Sequence, residues 1–81
     1  MNKYEVKFDT YENGVKSVKR QYATKYFGGE VLASNKELAN LTVREWLCDE
    51  MEAHHVKIFK SQIFVDGVLR FGNFKAELLV A

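Results

Sequence analysis

The chain has 81 residues, which predicts a single small domain over 1–81 rather than a catalytic unit beside a regulatory one. Twelve Lys and Arg against eleven Asp and Glu leave a formal charge of +1, so neither a basic nucleic-acid tail nor an acidic DNA mimic describes the bulk, and any polarity is local. Hydrophobic residues at 47% and aromatics at 14% argue against disorder, and a lone cysteine excludes an internal disulfide and fits a reducing, cytoplasmic setting.

Charges recur from Lys3 onward with no apolar stretch of the signal-peptide kind, and no run approaches the roughly 20 residues of a bilayer span, so no membrane partner is expected. Residues 4–27 carry β-branched and aromatic side chains around Glu12-Asn13-Gly14, which predicts a hairpin. A two-residue Asn-Gly loop would oppose Phe8 to Lys19 and Lys7 to Arg20, mixing apolar with charged and setting like charges together. A three-residue loop over 12–14 instead pairs Phe8 with Val18 and Tyr4 with Tyr22. It gathers Tyr4, Val6, Phe8, Val18 and Tyr22 on one face, and this is the expected register. Arg20 then opposes Val6 between aromatic pairs, where it either snorkels from the sheet edge or is offered to a partner.

Gly28-Gly29 is expected to end the second strand, and residues 30–33 read as a short third strand or a crossing loop. Ser34-Asn35-Lys36-Glu37 and Thr42-Val43-Arg44-Glu45 both match the capping box, in which a hydroxyl and a carboxylate satisfy the first free N–H groups. A helix is predicted from Thr42 to about His54, with Val43, Trp46, Leu47 and Met51 inward and Glu45, Asp49 and Glu52 outward. Residues 56–80 return to strand character, with Asp66-Gly67 as a two-residue turn. Val56, Ile58, Phe64, Leu69 and Phe71 share one face before the apolar positions switch to Phe74, Ala76, Leu78 and Val80. That switch of parity requires either a bulge or a second turn at Gly72-Asn73. Phe59, Ile63, Val65, Val68 and Leu79 fall on the reverse face, which is a candidate contact surface. The fold class is therefore α+β: a four- or five-stranded antiparallel sheet of two hairpins, with a central amphipathic helical segment packed on one face. A homodimer would extend so small a core.

No reacting constellation stands out, so no catalytic residue, metal ligand set or cofactor is assigned. Cys48 with His54 and His55 is the only grouping of nucleophile and base, and seven residues of helix separate its ends by about 10 Å. Glu50 and His54, or Cys48, Glu52 and His55, have helical ligand spacing but match no zinc or calcium motif. Charge is more informative. Residues 13–29 hold Lys16, Lys19, Arg20 and Lys25 with no acid, whereas residues 37–54 hold Glu37, Glu45, Asp49, Glu50 and Glu52 against Arg44 alone. An electrically polar molecule of this kind suits oriented docking.

The first functional expectation is a non-enzymatic protein-binding module that occupies a surface of a larger macromolecule through Glu45, Asp49 and Glu52 together with Lys16, Lys19 and Arg20. In size and style alone the chain resembles small inhibitors made by phages and mobile elements against host complexes, anti-CRISPR proteins among them. The alternative is a single-stranded DNA or RNA binder whose basic hairpin interleaves Lys16, Lys19, Arg20 and Lys25 with Tyr11, Tyr22, Tyr26 and Phe27 as stacking platforms.

Overall fold

A computed structural model describes residues 1–80. It is an α+β domain in which nine elements run β1 (Asn2–Glu12), β2 (Val15–Lys16), β3 (Gln21–Tyr22), α1 (Ala23–Phe27), β4 (Val31–Ala33), α2 (Lys36–Glu50), β5 (Val56–Phe59), β6 (Gln62–Val65) and β7 (Val68–Val80). All seven strands join one antiparallel sheet in the spatial order β2-β1-β7-β6-β5, and β3 and β4 also pair with β1. One edge of β1 is thus covered piecemeal by three short strands, and the other runs along β7. Among the described residues no helix is long and apolar enough to cross a membrane.

Period-two alternation along β1 sends Tyr4, Val6 and Phe8 to one face, where they are buried with Val31, Ala33, Ile63, Val65, Phe71 and Ala76. Helix α2 covers this face with Ala39, Val43 and Leu47 at helical spacing, and Trp46 and Met51 pack at its margin. Phe8 sits at the centre, stacked on Phe74 and edge-to-face with Tyr26 and Phe71.

The N-terminal hairpin differs from expectation. Its loop is the two-residue Asn13-Gly14 turn, with φ of 51° and 79°, which pairs Glu12 with Val15 and Tyr11 with Lys16. Positive φ at both central positions is what this turn demands and what Asn-Gly supplies at least strain. The clash foreseen for this register is avoided because the chain leaves the ladder after Ser17, whose N–H still donates to the Thr10 carbonyl, and rejoins with Gln21 opposite Phe8 and Tyr22 opposite Lys7. Val18, expected inside, lies fully exposed, and Tyr22 faces away from the core opposite Lys7. Arg20 does not oppose Val6.

The second strand also ends early, since residues 23–27 form α1. Thr24, in its first turn, donates its N–H to Glu5 Oε1 and its hydroxyl to Glu5 Oε2, so a strand carboxylate satisfies a helix end that has no side-chain cap of its own. Gly28 closes the helix in the left-handed conformation at φ 70°, which a Cβ would strain. Residues 31–33 form the short strand against β1.

Helix α2 begins a turn and a half before Thr42. Asn35 Oδ1 accepts from the Leu38 N–H and acts as the cap, while Thr42 sits mid-helix with its hydroxyl donating to the Leu38 carbonyl. The helix ends at Glu50, before His54.

In the C-terminal region the Asp66-Gly67 turn forms as expected, with Val65 opposite Val68. An unforeseen turn at Lys60-Ser61, with φ of 50° and 63°, divides β5 from β6. Ile63 and Val65, expected on the reverse face, are core residues, and Phe64 takes the other face. β7 carries an extra residue at Arg70, between the Leu69–Phe64 and Phe71–Ile63 pairs, which reverses the expected faces of β6. At Gly72-Asn73 there is a bulge rather than a second turn: Lys75 pairs with Lys7 and Gly72 with Asp9, and Asn73 takes φ 57°. The side chain of Val80, assigned above to the inner face, lies outside the described residues.

Candidate binding surfaces

The register fixes what the face turned away from α2 displays. On β1 it carries Lys3, Glu5, Lys7, Asp9 and Tyr11; opposite them stand Tyr22, Gly72, Lys75, Glu77 and Lys16. On the far hairpin it carries Lys57, Phe59, Gln62 and Phe64, with Lys57 opposite Phe64 and Phe59 opposite Gln62. Four aromatic rings and a set of lysines therefore share one sheet face. Lys7 Nζ lies 5.7 Å from the Tyr22 ring centroid and Lys60 Nζ 5.5 Å from that of Phe59.

The carboxylates of this face are engaged internally. Glu5 holds Thr24, and Glu77 accepts from Lys7 at 3.0 Å, so the Lys7 hydrogen bond and charge hold the Glu77 carboxyl below its ordinary value. Glu30 pairs with Lys3 at 3.1 Å. Asp9 is only 2% exposed: its Oδ2 accepts from Asn73 Nδ2 at 2.9 Å, and Arg20 Nε lies 3.3 Å from its Oδ1 as an ion pair not aligned for a hydrogen bond. Arg20 Nη2 also donates to the Asn73 carbonyl. The guanidinium of Arg20 thus ties the Ser17–Arg20 excursion to the β7 bulge.

A cleft of about 630 Å³ opens beside this network, lined by Tyr11, Lys16, Lys60, Ser61, Gln62 and Asn73, with Asp9 its only carboxylate. Gly72 lies under Tyr11 and Gln62, where a Cβ would stand 3.5 Å from both Tyr11 Cε1 and Gln62 Cγ. A larger concavity, about 960 Å³, separates the two hairpin tips and includes Glu12, Lys16, His54, Asp66 and Arg70. His54 Nδ1 lies 2.9 Å from Asp66 Oδ2, and the His55 backbone N–H donates to Asp66 Oδ1 at 3.0 Å. That backbone bond first, and the His54 side chain second, lower the Asp66 pKa.

The outer side of α2 is a second surface. Leu38, Leu41, Glu45 and Asp49 fall on one helical stripe, and Glu52 follows in the turn beyond it; all five are exposed. Glu37 and Glu50 are exposed as well, and Tyr26 donates to Glu50 Oε1 at 3.3 Å. Cys48 is half-buried, and burial first, then the charges of Asp49 and Glu45, push its thiol above the ordinary range, away from a nucleophilic thiolate. Among the described residues no group of three or more His, Cys, Asp or Glu is placed to hold a metal ion.

The residues singled out from the sequence are thus dispersed. Glu45, Asp49 and Glu52 line the outer side of the helix; Lys16 and Tyr22 stand on the open sheet face. Lys19 is exposed in the excursion and Lys25 on α1. Tyr26 packs edge-to-face on Phe8 and Phe27, and Arg20 is held by Asp9. Sequence reasoning missed Lys57, Lys60, Phe64 and Lys75, and the exposed Leu38 and Leu41; Tyr11 it named as a stacking residue of the hairpin, and Phe59 it placed on the reverse face, where the structure also has it. The alternation of Lys57 with Phe59 and of Lys75 with Glu77 was the signal for the others. Compared with known proteins, the chain matches no protein-family model, no curated protein and no solved structure.

Proposed function

We propose that this protein is a non-enzymatic binding module that docks on a basic surface of a protein partner through the outer stripe of α2, an inhibitor-like role exercised by occupying that surface. The observation that carries the reading is the stripe itself, in which the exposed Leu38 and Leu41 lead into Glu45, Asp49 and Glu52. Apolar anchors beside a run of like charge are the composition of a docking face: the leucines supply desolvated contact and the carboxylates orient the approach.

The test is affinity capture from lysate of the source or host cells, with nuclease treatment, using wild type and a Glu45→Lys/Asp49→Lys/Glu52→Lys variant with unchanged circular dichroism. Retention of one nuclease-resistant protein by wild type and its loss in the variant, and also in Leu38→Ser/Leu41→Ser, are the expected results. Equal capture by all three rejects the helix as the docking face.

A further inference from the structure

Register places Lys16 opposite Tyr11, and Phe59 opposite Gln62. Gly72 lies between Tyr11 and Gln62, within van der Waals reach of both for an added Cβ. Lys16, Tyr11, Gly72, Gln62 and Phe59 therefore form a track across all five positions of the sheet, about 19 Å long at the usual strand spacing. Lysines stand at both ends, since Lys60 follows Phe59 and lies over its ring. Tyr11, Lys16 and Lys60 line the cleft at its middle, which offers Ser61, Gln62 and Asn73 as hydrogen-bonding groups, and Phe59 stands beyond it on β5 opposite Gln62. The one carboxylate there, Asp9, is buried and neutralised by Arg20.

We infer that this track binds single-stranded nucleic acid, with Lys16 and Lys60 on backbone phosphates and Tyr11 and Phe59 as base-stacking platforms. The reading is independent of the docking proposed for α2, which lies on the other side of the sheet. Charge complementarity selects a polyanion, because among the described residues neither Lys16 nor Lys60 is held in an ion pair. The aromatic rings select unpaired bases over a duplex, whose bases are stacked on each other and present only phosphates to a surface. They also select nucleic acid over an acidic polypeptide, which has no comparable planar groups along its length. The site is not the hairpin expected from the sequence: it keeps Lys16 and Tyr11, and the far half comes from residues forty and more positions away.

Fluorescence anisotropy with short labelled oligothymidylate and oligouridylate, a duplex of equal length, and polyglutamate as competitor tests this with the whole chain. Single strands are expected to bind at about 50 mM salt and to weaken steeply as salt rises, by a slope of about 0.7 per phosphate contact. Lys16→Glu/Lys60→Glu is expected to lose at least about tenfold in affinity and to flatten that slope by about 1.4. Phe59→Ala, an exposed position whose loss the fold tolerates, is expected to lose about tenfold with the slope unchanged, because stacking releases no counterions. Preference between the two oligomers assigns the ligand as DNA or RNA. Absence of binding at low salt, equal affinity for duplex, displacement by polyglutamate at equal charge concentration, or indifference to Phe59→Ala overturns the inference.

Discussion

Asn13-Gly14 and Asp66-Gly67 have the same backbone, with both central residues at positive φ, yet the strand pairs that leave them diverge. Beyond Asp66-Gly67 the pair absorbs a single extra residue at Arg70 and remains one ladder from Val65–Val68 to Ile63–Phe71. Beyond Asn13-Gly14 the chain abandons pairing for residues 18–20 and resumes two positions further on. The continuing register would have set Lys19 against Phe8 and Arg20 against Lys7. A bulge of one residue turns every following side chain over, whereas the excursion keeps the faces and lets Arg20 reach Asp9. Tight turns thus fix register for a few pairs, after which the polar residues decide.

The comparison is broken most directly at its shared centre. Phe8→Ala, which empties the ring contacts with Phe74, Phe71 and Tyr26, is expected to cost about 3–5 kcal/mol in urea denaturation. A cost below about 1 kcal/mol would mean that the two halves do not share one core.

The next effect separates the excursion from an ordinary loop. Arg20→Ala leaves the carboxylate of Asp9 buried with only the Asn73 amide, and is expected to destabilise by about 3 kcal/mol, while Lys19→Ala next to it stays within about 0.5 kcal/mol. Equal effects at the two positions would remove Arg20 as the anchor of the register.

Between the two capping sequences the difference is smaller. Asn35→Ala removes the acceptor for the Leu38 N–H and is expected to cost about 1 kcal/mol, whereas Thr42→Ala, mid-helix, is expected to change stability by less than about 0.5 kcal/mol. Melting curves that reverse this order would relocate the start of α2.

The smallest effect is in acid. The Asp66 and Glu77 carboxyls titrate lower in the folded chain than their ordinary values of 3.8 and 4.5. Their contribution is therefore complete above those values and lost as pH falls through the lowered folded ones. Asp66→Asn is expected to make the acid limb of a stability–pH curve slightly shallower in that range and to leave it unchanged near neutrality apart from a constant offset. Both groups are exposed, so the change is modest.

The Asp66-Gly67 turn, the α+β class and the acidic outer side of α2 were legible in the sequence; the strand at 31–33 and the bulge at Gly72-Asn73 each stood as one of two alternatives, and the Asn13-Gly14 loop was read one residue too long. Each depends on neighbours within a few residues. The faces of β6 were misread because the Arg70 bulge and the Lys60-Ser61 turn carry no glycine or proline to mark them. α1 was hidden because its end is satisfied by Glu5, nineteen residues away. Of the surfaces, Glu45, Asp49 and Glu52 were found by helical period, but Lys16 was read as part of a basic hairpin rather than one end of a track reaching Phe59 and Lys60.

Local order along the chain determined which segments could become strand or helix and where tight turns would form, since φ preferences and periodicity act over one or two turns of backbone. Only the folded sheet decided which lysines share a face with which rings and that Arg20 is bound internally by Asp9. The physical reason is that strand pairing joins residues from opposite ends of the sequence, and a shift of one position in any strand reassigns every side chain it carries.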